Sequence, residues 1–157
     1  MKKYSTLLFL IVLLISCTAQ TATPEADAAR STLINFLTLL HEGQNEEASP
    51  LYAGEYESLQ VFNPQIDPGD HVALWAWACD NRLLQCLEVR SATLQHQETD
   101  SYVFQVEFNN PDGSLFVLGP CCGANETEMP PVSKFEFTVS RTADGKFVVM
   151  NTPPYVP

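Results

Sequence analysis

"SYVFQVEFNN", residues 101–110, alternates between two kinds of side chain from Phe104 to Asn109. Tyr102, Phe104, Val106 and Phe108 fall on one side of an extended chain, and Gln105, Glu107 and Asn109 on the other. Successive side chains of a strand point to opposite faces, so this run predicts a strand with one face buried and one toward water. Four other runs have the same character: "LEVRSATLQH" (87–96), "SLFVLG" (114–119), "KFEFTVSR" (134–141) and "KFVVMN" (146–151). "PDG" at 111–113 and "ADG" at 143–145 are hairpin signals, and "NETEMPP" at 125–131 is a longer loop. The tail "TPPYVP" carries too many prolines to add a strand.

Upstream of these runs the period changes from two to between three and four. Ala29, Leu33, Phe36, Leu37 and Leu40 recur at helical spacing, behind a Thr23 cap, Pro24 at the first position and Glu25 near the positive end of the helix dipole. Gly43 stops this helix. A second helix is expected over about residues 45–59, with Pro50 leaving its start open between an Asn45 cap and a Ser49 cap. "NPQIDPGD" (63–70) is a turn. A third helix is expected from Pro68 with Asp67 as its cap, and Val72, Trp75, Ala76 and Cys79 would share a face. Helices first and antiparallel strands afterwards indicate an α+β fold, with N-terminal helices packed on a curved antiparallel sheet.

The stretch "STLINFLTLLHEGQNEEASPLYAGEY" (31–56) is an amphipathic helix, a glycine-containing break, and a segment rich in Ala and Tyr. With the order of later elements, it resembles the nuclear-transport-factor-2-like superfamily, also called the cystatin-like α+β roll, over about residues 25–151. The resemblance implies a cone-shaped roll with a cavity, which some members use for isomerase, hydratase or cyclase chemistry. The chain looks most like the extracytoplasmic lipoproteins of unknown function that carry such a domain. The cysteines are not part of the superfamily's general pattern.

The amino end supports an exported protein. Lys2 and Lys3 precede an apolar run from Leu7 to Ile15, too short for a spanning helix of about 20 residues and laid out as a secretory signal. Leu14-Ile15-Ser16-Cys17 resembles a bacterial lipobox. The expected organisation is a lipoprotein signal peptide at 1–16, a lipidated Cys17 and short tether through residue 24, and one α+β roll domain over 25–157. Lipidation at Cys17 would hold the protein to the cell membrane or outer membrane, facing outside the cytoplasm. By analogy with lipoprotein sorting, Thr18, where a retention signal would place Asp, permits outer-membrane delivery.

Removing residues 1–16 leaves six basic and nineteen acidic residues, a net charge of about −13. Such a surface repels phosphate backbones, so nucleic acid is not expected as a partner. Setting Cys17 aside, Cys79, Cys86, Cys121 and Cys122 remain, an even number in an oxidising compartment, which reads as two disulfides. A Cys121–Cys122 bond would force a strained eight-membered ring and is disfavoured, so the expected bridges tie "CDNRLLQC" (79–86) to the "CC" turn, in either of two patterns. Zinc is the weaker reading, because four-thiolate sites usually present Cys-x2-Cys knuckles. No metal site and no cofactor are expected.

No residue stands out as catalytic. His41 ends the first helix as a dipole partner, and His71 and His96 are expected to be exposed. Asp67, Asp70 and Asp80 read as cap or turn residues. A nucleophile elbow and a glycine-rich phosphate loop are both absent from the sequence. The expected function is therefore a non-catalytic binding or interaction module, with Tyr52, Tyr56, Trp75 and Trp77 as the candidate pocket. Its partner would be a small apolar ligand or an envelope protein, besides the membrane. The alternative is a cavity enzyme doing acid–base chemistry on a small hydrophobic substrate.

Overall fold

The computed structural model describes residues 23–155. The expected signal peptide, Cys17 and most of the expected tether lie outside the described residues. Four helices precede four strands. The helices are α1 (Pro24–His41), α2 (Asn45–Ala48), α3 (Glu57–Phe62) and α4 (His71–Asp80). The strands are β1 (Glu88–Gln97), β2 (Ser101–Asn109), β3 (Phe135–Arg141) and β4 (Phe147–Val149). They form one antiparallel sheet in the order β1-β2-β3-β4, a meander in which each strand pairs with its sequence neighbour. The α+β class, with N-terminal helices on an antiparallel sheet, is the architecture observed. Among the described residues no helix is long and apolar enough to cross a membrane.

The alternation in 101–110 has its expected result on one face, while Val103 on the opposite face is buried as well. Tyr102, Phe104, Val106 and Phe108 are buried, with Phe137, Val139 and Val149 from the two following strands. Against this face lies the stripe of α1: Ala26, Ala29, Leu33, Phe36, Leu37 and Leu40. Removing this apolar area from water is the main stabilising term of the fold. Two register shifts in β1, between Val89 and Ser91 and between Leu94 and His96, add twist and curve the sheet around the helix.

Polar contacts fix α1 at its start. The Thr23 hydroxyl accepts from the Ala26 N–H at 3.2 Å and caps the helix as expected. The Glu25 carboxylate accepts from Arg141 at 2.9 Å and from the Tyr102 hydroxyl at 3.3 Å. Arg30 Nε donates to the Ala92 carbonyl at 2.7 Å. The first turns of the helix are thus held to β1, β2 and β3.

Four expectations about individual elements are corrected. The helix over 45–59 breaks into α2, a 3-10 turn (Ser49–Leu51) and α3. Pro50 lacks an N–H and Tyr52 takes an extended conformation, pairing in parallel with Val149 of β4. Helix α4 starts later than expected: Asp70, not Asp67, caps it by accepting from the Ala73 N–H at 3.0 Å. Asp67 instead accepts from Gly69 N–H inside the preceding turn. The buried face of α4 is Leu74, Trp75 and Ala78, while Val72, Ala76 and Cys79 are half-buried.

The fourth correction concerns "SLFVLG", which is not a strand. It contributes only single bridges, Leu115 to Asn109 and Leu118 to Val132. Phe116 is half-buried against Phe135, with ring centroids 5.8 Å apart, so this side chain lies against the end of the sheet while Val117 is exposed.

Candidate functional site: an open groove beside the third strand

Three of the four candidate pocket aromatics, Tyr52, Tyr56 and Trp75, come together, but they form a packed cluster. Phe36 of α1 stacks on Tyr52 at 5.8 Å between ring centroids, and meets Trp75 of α4 edge-on at 5.5 Å. Tyr52 meets Trp75 and Tyr56 edge-on at 5.0 and 5.1 Å. Edge-to-face pairs at such distances add attraction beyond the area they bury. Trp75 Nε1 donates to the Tyr56 hydroxyl at 3.1 Å, which satisfies the indole N–H inside an apolar setting. Trp75 is fully buried, and Tyr56 is covered on one face by the His71 ring, stacked at 3.8 Å. Trp77 sits apart from this cluster, half-buried at the edge of the core.

An open groove of about 660 Å³ lies beside the cluster, lined by Tyr52, Glu55 and Ser58, by Phe135 and Glu136 of β3, and by Asn151 and Pro154 after β4. Of the four candidate pocket residues, Tyr52 alone lines it. Backbone periodicity explains why the groove exists. Strand β4 ends at Val149, and Thr138 uses its last partners: its carbonyl accepts from Met150 N–H at 2.9 Å, and its N–H donates to Asn151 Oδ1 at 2.6 Å. In an antiparallel strand every second residue turns its backbone groups to the same side. Glu136, two residues before Thr138, therefore directs its N–H and C=O into the groove.

Gly54 forms the closest approach in the groove. A side-chain carbon there would overlap the Met150 carbonyl oxygen and the Tyr52 hydroxyl. Tyr52 donates its hydroxyl proton to the Glu55 carbonyl at 3.1 Å. Burial first, then the neighbouring Tyr56 and Glu55, push the Tyr52 phenol up to about 12. It is a fixed hydrogen-bond donor at neutral pH, poorly suited to take up or release a proton. Sequence reading missed the groove because Gly54, Glu136 and Asn151 carry no motif; only the shortness of "KFVV" before "MN" hints that β4 leaves part of β3 uncovered.

The remaining titratable candidates are dispersed. His41 Nδ1 donates to the Cys86 carbonyl at 3.1 Å, tying the end of α1 to the segment after α4. His71 is half-buried under Tyr56 rather than exposed, and His96 is exposed on β1. Asp67, Asp70 and Asp80 are exposed, the first two in the turn and cap roles described above. Among the described residues no polar or charged side chain is fully buried, and no three His, Cys, Asp or Glu side chains gather as metal ligands.

The cysteines pair differently from the expected cross-bridges. Cys79 and Cys86 are joined, with their Cα atoms 5.5 Å apart. The chain doubles back after α4 through Arg82, whose φ is 58°, and Leu84 N–H returns to the Ala78 carbonyl at 3.0 Å. That reversal brings the two cysteines within ordinary bridging range. Cys121 and Cys122 are not joined to them and carry thiols whose sulfurs lie 2.6 Å apart.

Comparison with known proteins adds little. No family model matches the chain, and no curated protein sequence matches it. Among solved structures, it is similar to a protein from Xanthomonas campestris named for a calcium/calmodulin dependent protein kinase II association domain. The TM-score is 0.41 at 13% sequence identity, over 87% of this chain and 91% of that chain. The α+β architecture stands on this chain's own element order and sheet pairing.

Proposed function

We propose that this chain is an extracytoplasmic lipoprotein, anchored through Cys17, whose nuclear-transport-factor-2-like roll is a non-catalytic binding module. Its binding surface is the groove between Tyr52–Ser58 and Phe135–Glu136, and its partner is an extended segment of an envelope protein. The observation that carries this reading is the uncovered edge of β3. A strand that outlasts its neighbour offers backbone N–H and C=O groups to an incoming extended chain, and adjacent hollows can accept its side chains. A small apolar ligand is less well served, because the aromatic cluster that would have received it is filled by Phe36 and Trp75. The order of Lys2–Lys3, the apolar run and Leu14-Ile15-Ser16-Cys17 supports the anchor.

Two experiments test the two halves. Blocking the lipoprotein signal peptidase with globomycin should accumulate the unprocessed precursor, and Cys17→Ser should do the same; unaltered processing rejects the anchor. Backbone amide spectra of the protein, recorded with and without a solubilised envelope-protein fraction, should shift at Glu136, Asn151 and Gly54. Shifts confined to other faces, or none, reject the groove.

A further inference from the structure

The segment between β2 and β3 holds a feature that the binding reading does not use. Leu118 and Val132 exchange two backbone hydrogen bonds, of 2.8 and 2.9 Å, and so close the base of a loop spanning residues 119–131. Inside it, Ala124 N–H returns to the Cys121 carbonyl at 3.0 Å. Asn125 Oδ1 accepts from the N–H groups of Thr127 and Glu128, at 2.9 and 3.2 Å. Glu128 in turn accepts from Asn125 N–H at 3.0 Å. These bonds give the loop a defined shape, and at its turn sit Cys121, half-buried, and Cys122, exposed.

Neighbouring residues in an extended chain point their side chains to opposite sides. Bringing two adjacent sulfurs together requires a different backbone. Cys122 has φ of 61° and Gly123 has φ of 89°, both in the left-handed region that a residue with a Cβ seldom enters. The result is a sulfur–sulfur separation of 2.6 Å, well inside the contact distance of unbonded sulfur atoms. The Cys79–Cys86 bridge leaves these two thiols only each other as partners within the described residues.

We propose that Cys121 and Cys122 form a reversible vicinal disulfide by exchange with a small-molecule disulfide, making the loop a two-electron thiol–disulfide site distinct from the Cys79–Cys86 staple. The thiolate of the exposed Cys122 attacks one sulfur of the reagent, forming a mixed disulfide and expelling one thiolate. The Cys121 sulfur then attacks Cys122 Sγ, closing the eight-membered ring and expelling the second. Both cysteine protons end on the two small thiols. The protein pair is oxidised by two electrons, and the small disulfide is reduced by two.

The positions of the basic residues make the test direct. Trypsin cuts after Arg82, between Cys79 and Cys86, and releases a 91–134 fragment whose cysteines are Cys121 and Cys122 alone. The full chain, purified in detergent, would be treated with oxidised glutathione, alkylated, digested and weighed. The expected 91–134 fragment is unalkylated and lighter by two hydrogen atoms than its reduced form. A low concentration of dithiol should return it to a doubly alkylated fragment while Cys79 and Cys86 stay linked. Cys121→Ser should instead trap glutathione on Cys122. The proposal is overturned by two glutathiones on the wild-type fragment, by two unreacted thiols, or by linkage of the fragment to Cys79, Cys86 or a second chain. Failure of Cys122 to capture glutathione in Cys121→Ser overturns the assigned order of attack.

Discussion

The two cysteine pairs occupy opposite kinds of ground. Cys79 and Cys86 sit where α4 ends against the core, with Ala78 and Leu84 buried beside them. Cys121 and Cys122 sit on a loop whose shape comes from backbone turns and the Asn125–Glu128 pairing, with little apolar cover. The same side chain therefore does two jobs: within the body it closes a chain reversal, and in the loop it stays open to solvent chemistry. What separates the two regions is how much apolar surface holds the backbone, and stability measurements should follow that division.

The largest loss should come from the centre of the body. Phe36 is fully buried between Tyr52 and Trp75, so Phe36→Ala should cost about 3 to 5 kcal/mol by chemical denaturation. Opening the body's bridge with Cys79→Ser should cost about 2.5 kcal/mol, the chain-entropy value for so short a loop. Gly54→Ala should cost about 1 to 3 kcal/mol, because its methyl must displace the Met150 carbonyl or the Tyr52 ring. The urea midpoint of each variant measures these three.

A smaller effect should be confined to alkaline solution. Tyr52 is raised from 10.0 to about 12 on folding, so its neutral form is favoured in the native state. That contribution is complete below the unfolded value and is lost as pH rises through the folded one. Stability should therefore fall between pH 10 and about 12, and Tyr52→Phe should remove that part of the fall. Absorbance titration of the phenolate checks the same group directly. The smallest effect belongs to the loop: Cys121→Ser with Cys122→Ser should leave stability within about 0.5 kcal/mol of the parent. A large loss there would erase the distinction between the two regions.

The same division sets what could be read from the amino-acid sequence. Where apolar residues recur with a period, as at Ala29–Leu40 and Tyr102–Phe108, one face must be buried and the element follows. Thr23 and Pro24 placed the start of α1 because their effect is local. Local pattern fails where a distant partner decides the outcome. Tyr52 leaves helical geometry to pair with Val149, nearly a hundred positions away, and no local pattern at 45–59 signals it. "SLFVLG" alternates too weakly to choose between joining the sheet and folding across its end, and Phe116 settles it by contact with Phe135. The groove was illegible for a related reason: it is made by where β4 stops. The Cys79–Cys86 pairing depends on the reversal at Arg82, an ordinary-looking residue in a left-handed conformation.

The Glu25 clasp has a mechanical consequence. Any pull on the segment preceding Thr23 reaches the body through a carboxylate gripping Arg141 and the Tyr102 hydroxyl, with Arg30 holding the Ala92 carbonyl one turn further on. Load entering there spreads sideways across three strands before it can peel the helix from its bed. A tether attached at this corner would drag the body as a unit.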